Sequence, residues 1–243
     1  MARVPPSRVV LVTDFDGTLA EVVSDPKQSA ALPEALASLR RLAGALAQVI
    51  VLSSRSLEQL DTLVPVPGLR LIGDSGLPPP SDRELAALAR FNSEVPALLK
   101  GAPGTWLEAK PASSSVHFRA SALKPEDVRS LLRPVLAGTN LVAAAGRRVI
   151  EVHAPHAGKG ATVAKLLAGL DAGGAVCMGD DENDRSMFEY VSSLETPHLC
   201  VGVSSVEAPP DLFERCDIVV SGPPSAAALL GEMAHWAETG RGA

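Results

Sequence analysis

No run of lysine or arginine occurs anywhere in the 243 residues, and the formal net charge is −6 with a pI of about 5.4. That argues against nucleic acid or an anionic membrane surface as a partner, while leaving a small anion free to bind at a local site. No stretch reaches about 18 uninterrupted apolar residues, and Met1 to Val9 holds no apolar segment followed by a small-residue cleavage site. The expectation is a soluble, cytoplasmic protein without a membrane partner. Cysteine is sparse: Cys177, Cys200 and Cys216 include no Cys-x-x-Cys pair, which reads as three reduced residues rather than a disulfide framework. Internal sequence repeats and low-complexity tails are also missing.

What the chain does have is apolar content, 46% of residues, enough for a packed interior and for one large domain or a core with an insert. Short apolar runs alternate with helical patterns. Strands are expected at Val9 to Thr13, Gln48 to Leu52, Leu69 to Gly73, Ala175 to Met178, Leu199 to Val203 and Asp217 to Val220. Helices are expected at Pro33 to Ala45, Gly160 to Leu170, Asn183 to Val191 and Ser225 to Trp236. Such alternation implies an α/β fold with a parallel sheet covered on both faces. After the break Gly76-Leu77-Pro78-Pro79-Pro80 the order changes to helix Asp82 to Lys100, strands Thr105 to Lys110 and Ser113 to Arg119, helix Pro125 to Leu136, and strands Asn140 to Ala145 and Arg147 to His153. This α-β-β-α-β-β order predicts an inserted α+β domain at about 78–154, between core segments 1–77 and 155–243.

Asp14-Phe15-Asp16-Gly17-Thr18 follows the apolar run Val9-Val10-Leu11-Val12. Strand alternation sends residues i and i+2 to one side, so both carboxylates are expected to converge beyond the strand's end. Two like charges are tolerable there if a divalent cation lies between them or if one keeps its proton as an acid. Gly17 would let backbone approach a phosphate. Ser53-Ser54-Arg55 follows the second strand and emerges at the same sheet edge. Gly158-Lys159-Gly160 opens a helix there with an ammonium and free amides. Gly179-Asp180-Asp181-Glu182-Asn183-Asp184 follows another buried strand. Taken singly, each has a plainer reading: a turn or calcium-type loop, a helix N-cap at Ser53, a surface loop at Lys159, a charged cap at Asp180 to Asp184. Gly158-Lys159-Gly160 is not a phosphate-cradling Walker loop, since His153 stands where Gly is needed. Their common placement at one sheet edge favours a shared site.

In that order, the four segments resemble the motifs of the haloacid dehalogenase superfamily, and within it the trehalose-6-phosphate phosphatases. The resemblance covers nearly the whole chain. It implies a Rossmann-like core with an inserted cap of the C2 type, and an Mg²⁺-dependent phosphatase acting through an aspartyl-phosphate. Asp14 would be the nucleophile and Asp16 the acid and base, with Ser53 and Lys159 on the phosphoryl oxygens. Asp14, the Asp16 backbone carbonyl, Asp180 and Asp184 would serve the metal. Gly17, Thr18 and Arg55 would lie at the substrate. Glu108-x-Lys110, His117-Phe118-Arg119 and Val149-Ile150-Glu151 resemble the cap segments that hold the sugar. The family's usual Asn-His-Gly-Leu-Glu segment is replaced here by Asp74-Ser75-Gly76-Leu77-Pro78. Three readings follow: a phosphatase of trehalose 6-phosphate, a phosphatase of another sugar or polyol phosphate, and a non-catalytic sugar-phosphate sensor. The expected partner is a small sugar phosphate, and a monomer is compatible with the sequence.

Overall fold

The computed structural model describes residues 4–23, 25–146, 148–155, 158–206, 208–209 and 211–240; Arg147, expected to begin a strand, lies outside them. The chain divides into two compact units, 1–76 with 158–243, and 77–157. Among the described residues no helix is long and apolar enough to cross a membrane.

The first unit is built on six parallel strands: β1 (Val9–Thr13), β2 (Gln48–Leu52), β3 (Arg70–Ile72), and, after the second unit, β8 (Gly174–Gly179), β9 (His198–Ser204) and β10 (Ile218–Ser221). They lie in the order β10-β9-β8-β1-β2-β3. The central strands β1 and β8 are buried along their whole length, as strands covered on both faces must be. Alternate residues feed two separate cores. Val9, Leu11, Val49, Val51, Val176 and Met178 pack with helices α1 (Pro33–Ala45) and α7 (Gly222–Thr239). Val10, Val12, Ile50, Leu52, Ala175 and Cys177 pack with α5 (Lys159–Ala168) and α6 (Arg185–Ser192). A further helix, α2 (Leu57–Leu63), follows β2. It is absent from the sequence reading.

The second unit has four antiparallel strands, β4 (Trp106–Ala109), β5 (Ser113–His117), β6 (Val142–Gly146) and β7 (Val149–His153), in the order β4-β5-β7-β6. Helices α3 (Asp82–Leu99) and α4 (Pro125–Leu136) share a core with one face of this sheet, through Leu88, Phe91, Val128 and Leu132 against Val116, Ile150 and Val152. The residues between those strand positions therefore point to the other face.

Candidate active site

Asp14 stands one residue beyond β1, where its amide still donates to the Met178 carbonyl at 2.9 Å. This tie to β8 fixes the point at which the chain leaves the sheet. The Asp14 side chain is buried, and Lys159 at the start of α5 reaches it: Nζ donates to Asp14 Oδ1 and to Asp184 Oδ1, both at 2.6 Å. The other oxygen of Asp184 accepts from the amides of Asp180 at 3.0 Å and Asp181 at 3.1 Å. Asp14, Asp180 and Asp184 each offer a carboxylate oxygen within 4.8 Å of the other two.

Burial decides the electrostatics of this cluster. It pushes the Asp14 carboxyl up to about 7, against the pull of Lys159 and with a further rise from Asp184 and Asp16. Burial also draws Lys159 down, but the attraction of Asp14 and Asp184 together outweighs it and the ammonium sits above its ordinary range. Three acidic groups around one ammonium leave negative charge uncompensated. An all-oxygen donor set of that kind suits a hard divalent cation. Gly17 has φ +82°, and a Cβ built on it would fall on the Asp180 carboxylate. Only glycine allows both the left-handed turn and this approach.

The two carboxylates of Asp14-x-Asp16 are close enough for Asp16 to raise the Asp14 carboxyl, but strand alternation is not what places them. β1 ends at Thr13, and Asp16 belongs to an isolated bridge with Ala20, so the period of two no longer applies. Asp16 has its own cation. Arg55 forks it, Nε to Oδ2 at 2.7 Å and Nη2 to Oδ1 at 2.8 Å, and the Ser29 hydroxyl donates to Oδ1 at 3.2 Å. The remaining Arg55 nitrogen, Nη1, donates to the Pro26 carbonyl at 3.0 Å, and the guanidinium lies 5.4 Å over the Phe15 ring. Arg55, expected at the substrate, is thus engaged with Asp16. Ser29 and Pro26 carry no sequence signal that would have singled them out.

Ser53 is buried at the end of β2, beside β1; its carbonyl accepts from the Ser75 amide at 2.7 Å and its hydroxyl from the Arg55 amide at 3.3 Å. Thr18 is buried, and its hydroxyl has no hydrogen-bond partner among the described residues. The segment that departs from the family pattern is a tight turn in which Asp74 and Ser75, neither of them glycine, have φ of 51° and 54°. It is fastened to the second motif: the Asp74 amide donates to the Arg55 carbonyl at 2.8 Å. Thr162 of α5 donates to the Ser75 carbonyl at 3.0 Å.

In the second unit, β4, β5 and β7 set Glu108, Ser115 and Glu151 in one register row, with Trp106, His117 and Val149 in another two residues along. His117 Nε2 lies 2.9 Å from Glu108 Oε2, and Lys110 Nζ donates to Glu151 Oε1 at 3.3 Å. Four of the five expected sugar contacts therefore form two pairs. Arg119 lies in the turn after β5, because that strand ends at His117.

A sequence model of the trehalose-phosphatase family matches residues 12–211. The trehalose-phosphate phosphatase of Mycobacterium tuberculosis is 32% identical over 203 residues, covering 76% of this chain and 51% of that protein. That of Mycobacterium leprae is 27% identical over 216 residues, covering 80% and 50%. The chain thus spans about half the length of the curated relatives it matches. Among solved structures, the C-terminal domain of Candida albicans trehalose-6-phosphate phosphatase has a TM-score of 0.77 at 17% identity, covering 94% of this chain and 93% of that one. It shares the fold. By the family match, which extends over most of its length, the chain belongs to the trehalose-phosphatase family.

Proposed function

We propose that the chain is an Mg²⁺-dependent phosphatase that hydrolyses trehalose 6-phosphate to trehalose and phosphate. The observation that carries this reading is the buried Lys159 ammonium at 2.6 Å from both Asp14 and Asp184. A carboxylate that is to attack an anionic phosphoryl group needs positive charge already in place.

In the first step an Asp14 oxygen bonds to phosphorus as the bond from phosphorus to the sugar oxygen breaks, and Asp16 gives its proton to the departing oxygen. In the second, water attacks phosphorus and gives a proton to Asp16, the bond to Asp14 breaks, and phosphate leaves. Both carboxylates then regain their starting forms. Arg55 and Ser29 orient Asp16 for the two transfers, while Ser53 and Lys159 hold phosphoryl oxygens and Gly17 and Thr18 line the approach. Asp14, Asp180 and the Asp16 carbonyl would hold Mg²⁺, with Asp184 ordering its waters; the ion's all-oxygen preference fits these groups, and it would neutralise phosphoryl charge when bound. Glu108, Lys110, His117, Arg119 and Glu151 would bind sugar hydroxyls.

A second reading, another sugar or polyol phosphate as substrate, is favoured by the turn at Asp74 and Ser75 where the family's usual segment is replaced. Phosphate release from trehalose 6-phosphate, glucose 6-phosphate and a glucosylglycerol phosphate, with Mg²⁺ and with EDTA, tests both. A preference for trehalose 6-phosphate of about a hundredfold, roughly 3 kcal/mol of discrimination, upholds the first reading. Preference for another ester moves the assignment to the second, and no turnover with Mg²⁺ overturns both.

A further inference from the structure

We propose that Trp106 is an additional substrate-binding residue, its indole serving as the apolar platform on which a pyranose ring of the substrate packs. The inference rests on the sugar-phosphatase reading above.

Trp106 is 45% exposed, so part of this large aromatic side chain is open to a ligand that can pack on it. It lies on the edge strand β4, in the register row of His117, on the sheet face turned away from α3 and α4. The indole stacks on the His117 ring with centroids 4.0 Å apart and an interplanar angle of 13°. His117 is held in turn by Glu108 at 2.9 Å. One side of the indole is therefore braced while the residue as a whole remains accessible. An aromatic plane fixed in advance loses little conformational freedom when a ligand packs on it.

The charge on the same face selects the ligand. Glu151 is paired with the Lys110 ammonium, and Glu108 with the His117 ring. An anion would meet two carboxylates there. A neutral polyol suits both kinds of group, because each hydroxyl can donate to a carboxylate and accept from an ammonium or an imidazole N–H. Glu108 is two residues along β4 from Trp106, roughly 7 Å, about the span of one pyranose ring. Such a ring has polar edges for the charged pairs and a C–H face for the indole.

The test compares the full-length protein with W106A and W106F, in the presence of Mg²⁺, on trehalose 6-phosphate and on acetyl phosphate, which has no sugar. For W106A, KM for the sugar phosphate should rise about tenfold while kcat changes less than about threefold. W106F should recover most of that loss, and kcat/KM for acetyl phosphate should fall far less than that for the sugar ester. Equal KM values for wild type and W106A overturn the platform while leaving the hydrolase reading intact. Binding is read separately in W236F, in which Trp106 is the only tryptophan of the two remaining. Trehalose and maltose should each change its fluorescence saturably. No change with either sugar overturns the platform even if the protein hydrolyses phosphate esters. A saturable change without sugar-phosphate turnover by wild type supports the platform and overturns the phosphatase assignment alone.

Discussion

Lys159 stands between Asp14 and Asp184, and each of these three side chains has a different part in stability and chemistry. Replacing Lys159 by Met leaves two buried carboxylates facing each other. The metal-free protein should then lose about 3–5 kcal/mol of unfolding free energy in a urea titration. Asp14→Asn does the reverse to the fold, because it removes a buried charge whose burial is unfavourable. Its melting temperature without metal should hold or rise, while phosphate release falls by about a thousandfold or more. Ser53→Ala, which removes one of the proposed donors to the phosphoryl group, should cost less, about a hundredfold. A D14N variant with near-normal turnover would remove Asp14 from the proposed mechanism. At this scale the sequence showed which residues carry charge near the sheet edge but not how they pair. Arg55 meets Asp16 across a gap of 39 positions. Such a pairing depends on loops whose course leaves no periodic trace, and so the sequence reading puts Arg55 at the substrate without showing its partner Asp16.

The elements differ in how openly the chain announces them. Buried strands such as β1 and β8 are legible because a strand with two covered faces must be apolar throughout. α2 escaped because it has only seven residues and buries Leu60 alone, too little for a helical stripe to show. Its signature was nevertheless present: the Ser56 hydroxyl accepts from the Gln59 amide at 3.2 Å and the Gln59 side chain accepts from the Ser56 amide at 3.1 Å. That is a reciprocal cap. Ser56→Ala should lower stability by about 1 kcal/mol, seen as a shifted denaturant midpoint with unchanged slope. The turn at Asp74 and Ser75 was unreadable for another reason. Left-handed backbone is normally advertised by glycine, and here two other residues adopt it, held by hydrogen bonds from their amides to the carbonyls of Ser53 and Arg55.

For the molecule as a whole, the buried carboxyl cluster links folding, protons and the proposed metal. Asp14 titrates near 7 in the folded chain against an ordinary value of 3.8. Between those values the folded state keeps a proton that the unfolded chain has released, so the stability of the metal-free protein should fall as pH rises from about 4 to 7. A cation must displace that proton. The rise in melting temperature produced by Mg²⁺ should therefore grow from pH 5.5 to pH 8, and a pH-independent shift would separate Asp14 from the metal site. The parallel sheet has one more consequence, which concerns the path between its strands. Val9 pairs with Gly174, while the whole second unit lies in the chain between them. The entropy of closing such a loop grows only with the logarithm of its length, about 0.6 kcal/mol for each doubling. A longer or shorter insert at the junction of residues 76 and 158 should thus scarcely alter the stability of the core. The cost falls on time instead, because the two central strands must find each other across the longest separation in the sheet before either face can close.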